Sequence, residues 1–449
     1  MMRLTSLKLP HRKLRYVPFS SIPGCILGRS ITSYNGHLIT RQMDALLNTA
    51  WIRHHLFILG YDLVKLELYQ KLSHLLGMGG GGILKNIVFE LSSFLKRELK
   101  PGGNSSKIAQ QLKEMVDFNY DEFERYGRDY NMLCYSNRRI SEFKWFFISV
   151  GYHIISLSTI TVEQLAGQII DIYLKSTNNR LLELIEFSQD EDVLNSLREY
   201  YENVPINYRK LYNKSPRRIN LIESKNFKLE LPPLPRIKDK VLLTKSLMHQ
   251  ELYRALFSSG HGFAEIMSKK RYSLDYRSHN FIKYDLSFLD GLGDFFLARE
   301  SSNLLYRLRY HPLFFKSNQF GKKSYNVLRT ILTTNTLFSK LAIAYNLHEG
   351  LGDSFVQQML KNDYAPNLTS SKQLTINNSA KIIRYEEEFM ADYFESYIGA
   401  LFLEDSSAAQ TFVCELYERI LCLVVEENDI MTQNGDYKAW SRDIIGRVI

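Results

Sequence analysis

The chain has little of what disulfide-rich or zinc-binding proteins require. Its 449 residues contain four cysteines, none of them in a CxxC pair, and no histidine stands at a zinc-like spacing from them. Structural zinc sites need closely spaced Cys and His ligands, and secreted scaffolds need several paired cysteines. Cys25, Cys134, Cys414 and Cys422 therefore indicate isolated, reduced thiols in a protein that is not secreted.

Long apolar runs and nucleotide-binding loops are also missing. The most apolar stretch, residues 145–160, is shorter than the ~20 residues of a membrane helix and contains His153 and several serines. We expect a buried helix or strand there, and no membrane span. The glycines at 77 and 79–82 are not followed by Gly-Lys-Ser or Gly-Lys-Thr, and Lys85 stands at the wrong place for a P-loop. A flexible connector is the better interpretation.

Acidic residues are absent from the first 43 positions, before Asp44. Seven lysines and arginines stand there, so they account for seven of the nine net positive charges and leave +2 for the remaining chain. A basic, Ser/Thr-rich and acid-free leader is typical of a mitochondrial transit peptide, which predicts import into the mitochondrial matrix. The alternative is a disordered basic tail that contacts RNA or directs the protein to the nucleus.

The rest of the chain has a globular composition with mainly helical patterns. Hydrophobic residues make up 45% and charged residues 23%, enough apolar material for two or three domains. Apolar residues recur at helical intervals in 45–130 and 161–213. One stripe consists of Val162, Leu165, Ala166, Ile169, Ile170, Tyr173 and Leu174. The predicted divisions are a leader (1–43), a helical N-terminal region (44–160), a helical dimerisation or docking module (161–225), a proline-rich linker (226–240), a helical domain (241–425) and a tail (426–449).

Two pairs of acidic residues stand out in the C-terminal half. Asp290 and Asp294 lie four positions apart, and Asp392 and Glu395 lie three apart, each pair within a helical pattern of apolar neighbours. Residues at these spacings share one helix face. Because unpaired buried carboxylates are costly, such pairs usually hold a cation, and hard oxygen ligands suit Mg²⁺. Spacing alone leaves open the alternative that both pairs are solvated helix faces.

Four segments in this half resemble the ribonuclease III family. ADYFESYIGALFLED is similar to a family segment through Asp392, Phe394, Glu395, Tyr397, Ile398, Gly399, Ala400 and Leu401. The segment around residues 324–351 resembles another through Leu328, Arg329, Leu332 and Asn335. FLDGLGDFFL is similar to the family signature, anchored on Gly293–Asp294, and the segment up to His249 resembles the entry into the first family helix. The helical region before it is similar to the fungal branch.

The resemblance implies an all-α fold, a homodimer and Mg²⁺-dependent cleavage of double-stranded RNA, with Mn²⁺ as a possible substitute. The implied metal-binding and catalytic residues are Asp290, Asp294, Asp392 and Glu395. Asp290 stands where the family has its second signature glutamate, and Ser287 stands at the first. Alternatively, residues 290–292 are an insertion and Ser287 replaces the second glutamate, which removes a metal ligand.

RNA contacts are expected from the nuclease surface, the N-terminal helices or a partner. After Ile420 only about thirty residues remain, too few for the double-stranded-RNA-binding domain that many family members carry. The candidate phosphate contacts are Lys269, Lys270, Arg271, Arg217 and Arg218. Solvated basic loops are the alternative for each cluster. Two other functions stay open: a non-catalytic RNA-binding subunit of the mitochondrial ribosome, and a nuclear processing enzyme.

Overall fold

The computed structural model describes residues 50–76, 81–99, 107–115, 142–155, 162–176, 191–212, 218–220, 228–252, 262–269, 276–308, 322–369 and 380–432. The helices of its N-terminal part are α1 (Ala50–Leu76), α2 (Gly81–Glu98), α3 (Lys107–Met115), α4 (Glu142–Ile155), α5 (Val162–Ser176), α6 (Glu191–Asn203) and α7 (Tyr208–Leu211). A short antiparallel hairpin follows, in which β1 (Arg218–Asn220) pairs with β2 (Lys228–Glu230) and Ile219 faces Leu229.

The described C-terminal part consists mainly of further helices. They are α8 (Lys240–Ser246), α9 (Gly262–Lys269), α10 (Tyr276–Leu308), α11 (Lys322–Leu332), α12 (Asn335–Ala344), α13 (Ser354–Met359), α14 (Pro366–Thr369), α15 (Ala380–Glu404) and α16 (Ser406–Thr432). 3₁₀ turns cover Gln250–Leu252 and Leu347–Glu349, and a π turn covers Leu360–Tyr364. Apart from the hairpin, the regular elements of the described chain are all helices, so the predicted all-α class is confirmed.

The centre of the fold is the pair of long helices α10 and α15. They pack directly on one another, and α12 packs on α15. Both central helices are buried over most of their length, with Leu289, Phe296, Phe394 and Ile398 fully inside. A helix that is apolar on most of its circumference must be covered on several sides. The acidic residues singled out above therefore lie on two helices that are largely enclosed in the described structure.

The N-terminal helices cover another side of α10. Helices α1 and α2 both contact it, and α1 also packs against α4 and α5. At this contact Asp62 of α1 is buried and accepts hydrogen bonds from Ser302 Oγ (2.7 Å) and Arg329 Nη2 (2.8 Å). One hydrophobic cluster runs from Val64 to Val424, so the segments predicted as separate units on either side of residue 240 share a core in the described residues.

Several expectations for individual segments can be compared with this fold. The apolar stretch 145–160 lies largely in α4, whose Phe146, Phe147 and Val150 are buried, as expected for a buried helix. Among the residues that the structure describes, no helix is long and apolar enough to cross a membrane. The stripe on α5 packs against the chain's own core. Helix α2 already begins at Gly81, inside the glycine run interpreted as a connector.

The proline-rich segment is extended and closely packed. Residues 231–239 form no helix, as the prolines predict. Tyr345 donates a hydrogen bond to the carbonyl of Pro232 at 2.8 Å, and Tyr397 donates one to that of Pro235. Glu404 accepts two backbone N–H groups where the segment enters α8. The segment therefore runs across the α12 and α15 surface and is fixed at several points. The leader, 1–43, and most of the predicted tail, 426–449, lie outside the described residues.

Candidate metal centre

The two acidic pairs meet where α10 and α15 cross. A Cβ atom added at Gly293 would lie 1.9 Å from the carbonyl oxygen of Glu395, and one added at Gly399 would lie 2.1 Å from that of Leu289. Each helix therefore has a glycine exactly where the other backbone comes closest, which only a residue without a side chain permits. This close crossing brings carboxylates on the two helices within reach of a common ligand.

Three of the four predicted acids come together at this crossing. One carboxylate oxygen from each of Asp290, Asp392 and Glu395 lies within 4.8 Å of the others, a separation that a bound cation can bridge. Asp290 and Glu395 are only 7% and 5% exposed. Asp290 Oδ1 is buried and has no hydrogen-bond partner among the described residues. An unpaired buried carboxylate oxygen is costly, so this atom is suited to an ion or a water.

The fourth acid, Asp294, stands one helical turn further along α10 and outside this group of three. Its carboxylate is more exposed and faces Lys85 of α2, with Asp294 Oδ2 3.5 Å from Lys85 Nζ. The same ammonium lies 4.0 Å from Asp290 Oδ2. The Asp290 carboxylate raises the pKa of Lys85 above its usual value, against the opposing effect of burial, so the lysine is charged.

Burial shifts Asp392 and Glu395 toward their protonated forms. It raises the pKa of Asp392 to about 6, and the neighbouring Asp290 carboxylate adds to this shift, while His249 opposes it. Burial also raises the pKa of Glu395 well above its usual range, with Asp294 and Asp290 adding to the effect. Carboxylates that repel one another in a poorly solvated place favour either protons or a cation.

His249 holds Asp392 in place. The backbone N–H of Glu251 donates to His249 Nδ1 at 3.0 Å, so in the neutral ring Nε2 carries the proton and donates to Asp392 Oδ2 at 2.8 Å. The imidazole is itself buried and packs against the rings of Phe389 and Tyr393. Because both ring nitrogens are engaged, His249 orients one oxygen of Asp392 and leaves the other for a ligand.

Ser287 lies one turn before Asp290 on α10 and is buried. It supplies no carboxylate to the group. Asp290 itself lies in the site, on the same helical face as Asp294, with no interruption of α10 between residues 287 and 294.

Sequence reasoning missed two residues of this region. Lys85 was considered only as a P-loop lysine, and Tyr69 was not considered at all. Tyr69 of α1 lies beneath the acids, where its hydroxyl donates to the carbonyl of Phe288 at 2.8 Å and packs against Gly291. Each is about 200 residues from its partners in the chain. No local sequence pattern signals contacts between residues so far apart in the chain. The sequence does show that Lys85 stands at the edge of the apolar face of α2.

In the described part of the chain, none of the predicted RNA-binding side chains is found at this site. Arg218 lies exposed on β1, where its cross-strand partner is Glu230. Lys269 ends α9, and its side chain, like Arg217, Lys270 and Arg271, lies outside the described part. Their role stays a prediction.

The chain was also compared with family models, curated proteins and solved structures, and none of them matches it.

Proposed function

We propose that this protein is an endoribonuclease of ribonuclease III type that hydrolyses double-stranded or hairpin RNA in a metal-dependent reaction. The observation that carries the proposal is the convergence of Asp290, Asp392 and Glu395 from two crossing helices, with one buried oxygen of Asp290 lacking a hydrogen-bond partner in the described chain. The type of reaction is proposed from the resemblance of four sequence segments to that family. The homodimer, the RNA substrate and the mitochondrial matrix are parts of this proposal.

The side chains have distinct parts in such a reaction. Asp290, Asp392 and Glu395 would hold the cation, and His249 would keep Asp392 in the orientation that binding needs. Mg²⁺, or Mn²⁺ in its place, would polarise the scissile phosphate and lower the pKa of the attacking water. The water oxygen bonds to phosphorus as the bond to the 3′ oxygen breaks. The water loses one proton and the 3′ oxygen gains one, which leaves a 5′-phosphate and a 3′-hydroxyl.

Exposure at the edge of the site agrees with this proposal. The Asp294 side chain is 38% exposed and that of Asp392 is 18% exposed, so the acidic group opens to solvent on one side. Duplex RNA is recognised by its shape, phosphates and 2′-hydroxyl groups, and a backbone phosphate can approach such an edge without entering the core.

The experiment compares cleavage of a long RNA hairpin in Mg²⁺ by the wild-type chain and by Asp392→Asn. The asparagine oxygen can still accept the hydrogen bond from His249, so the fold should persist while the ion loses a charged ligand. The matched control is Glu388→Gln, an exposed acid one turn earlier on the same helix. We expect cleavage by the wild type and by Glu388→Gln, and none by Asp392→Asn. Equal cleavage by all three would refute the assignment.

The second candidate function is a non-catalytic RNA-binding subunit of the mitochondrial large ribosomal subunit. The observation that favours it is Lys85, whose ammonium already compensates two of the four carboxylates without any metal. The absence of an acid at Ser287 points the same way. No cleavage by any variant, together with co-sedimentation of the wild type with mitochondrial ribosomes, would favour this function. Recovery of the protein in nuclei alone would refute both mitochondrial proposals.

A further inference from the structure

Lys85 enters the acidic site from a different part of the chain than any of the carboxylates. It belongs to α2, which packs along α10. Its neighbours Leu84 and Val88 are buried in the core, so the helix is fixed, and the Lys85 side chain, 35% exposed, extends from this anchored backbone to the acids. The ammonium is thus held in place by the fold and is not a loose surface charge.

The position of the ammonium divides the acids into two sets. Lys85 Nζ stands 3.5 Å from Asp294 Oδ2 and 4.0 Å from Asp290 Oδ2, beside the two α10 acids of the site. The three acids that lie within 4.8 Å of one another are Asp290, Asp392 and Glu395. Asp290 thus belongs to both sets: Oδ2 faces the lysine, and Oδ1 is buried without a partner in the described residues.

A site with two divalent ions needs room for both at about 3.5–4 Å from each other, with carboxylates shared between them. An ion bound by Asp294 and Asp290 would have to lie in the space that faces the ammonium of Lys85. At such distances two like charges repel strongly, because screening by water is weak in a partly buried site. The lysine and a second ion therefore exclude one another.

We propose that Lys85 takes the place of a second divalent cation, so that this site binds a single ion, held by Asp290, Asp392 and Glu395. Lys85 is then a positioning residue that supplies a fixed positive charge beside Asp294. The inference rests on the proposed function for the presence of an ion. Its test, however, measures the number of ions bound and not RNA cleavage, so the two can fail separately.

The experiment counts Mn²⁺ ions bound per chain, by electron paramagnetic resonance of free Mn²⁺ during titration of the full-length protein. We expect one ion for the wild type and two for Lys85→Met, which removes the charge but keeps most of the apolar stem. Lys85→Arg keeps the charge and should bind one. The matched control is Lys71→Met. Lys71 is a partly buried lysine that lies away from the acidic site and pairs with Glu163, with 3.4 Å between Nζ and Oε1. This variant should also bind one Mn²⁺ ion.

Two ions in the wild type, none in the wild type, or one in a folded Lys85→Met chain would each overturn the proposal. If circular dichroism shows that Lys85→Met does not fold, the counts for the wild type and Lys85→Arg decide alone, and both must equal one. A wild-type chain that binds one Mn²⁺ but leaves RNA intact would support this inference while refuting the proposed nuclease. A wild-type chain that cleaves RNA and binds two Mn²⁺ ions would support the proposed nuclease and refute this inference.

Discussion

Replacing Gly293 by alanine should open the helix crossing on which the site depends. The added methyl group would lie 1.9 Å from the carbonyl oxygen of Glu395, whereas ordinary contact begins at 3.4 Å. Helices α10 and α15 must therefore separate by about 1.5 Å, since the contact is with backbone that cannot rotate away. Because the clash is with backbone, the cost of overpacking should reach about 3 kcal/mol or more, against which alanine in a helix regains up to about 1 kcal/mol. We expect the free energy of unfolding to fall by about 2 kcal/mol or more.

The Gly293→Ala variant should weaken ion binding more strongly than it lowers the free energy of unfolding. Ligand distances in metal sites are defined to about 0.2 Å, so a separation of this size moves Asp290 out of range of the acids on α15. We expect Mn²⁺ affinity to drop by at least about 10-fold, a loss typical of disturbed metal sites. Urea unfolding followed by circular dichroism gives the stability, and titration with Mn²⁺ gives the affinity.

Gly167→Ala is the matched control, because an added methyl group on this helical glycine would make only ordinary contacts. A methyl group there would meet only the side chain of Lys71, at 3.7 Å. It should leave Mn²⁺ binding unchanged and raise the free energy of unfolding by about 0.5–1 kcal/mol, the ordinary preference of a helix for alanine. If Gly293→Ala behaved like Gly167→Ala in both assays, the close crossing of α10 and α15 would be wrong.

Two further predictions concern charged groups that the fold buries. Lys245 Nζ contacts Asp285 Oδ1 at 2.5 Å, and both side chains are about 96% enclosed. The Lys245→Met variant should lower the free energy of unfolding by about 3–5 kcal/mol, because it removes the ion-pair partner of a buried carboxylate. A loss below about 1 kcal/mol in urea unfolding would contradict this. Since the folded pKa of Asp392, about 6, lies above its ordinary 3.8, its contribution to metal-free stability falls as pH rises between these values. Mg²⁺ binds the charged carboxylate, so it should raise Tm more at about pH 7.5 than at about pH 5.5. The Asp392→Asn variant should show a smaller difference between the two pH values. Equal Tm shifts at both pH values in the wild type would refute the prediction.

Local periodicity was sufficient to predict the helices that carry the acids. The spacing of Asp290 and Asp294, and of Asp392 and Glu395, depends only on the geometry of a single helix, so the sequence reveals it directly. The same holds for the buried helix around Phe147 and for the extended prolines. These features are decided by residues within a few positions of one another.

Features that depend on distant contacts could not be predicted in this way. The separation of Asp294 from the other three acids is decided by the rotation of α10 against α15 and by a lysine some 200 positions earlier in the chain. The stripe on α5 fits an internal core as well as it fits a partner, because an apolar face does not specify what covers it. Only the packed structure distinguishes these possibilities.

The acidic site and the N-terminal helices depend on one another physically. Several carboxylates can share a poorly solvated crossing only if a positive charge accompanies them. Lys85 provides one such charge from α2, and Tyr69 of α1 fixes the α10 backbone next to Asp290. Under the proposed function, a chain that compensates its acids with its own lysine would need fewer bound ions at this site. The number of ions bound to the wild-type chain therefore bears on both proposed functions: the proposed hydrolysis needs at least one bound ion, and no bound ion would leave Lys85 with a purely structural role.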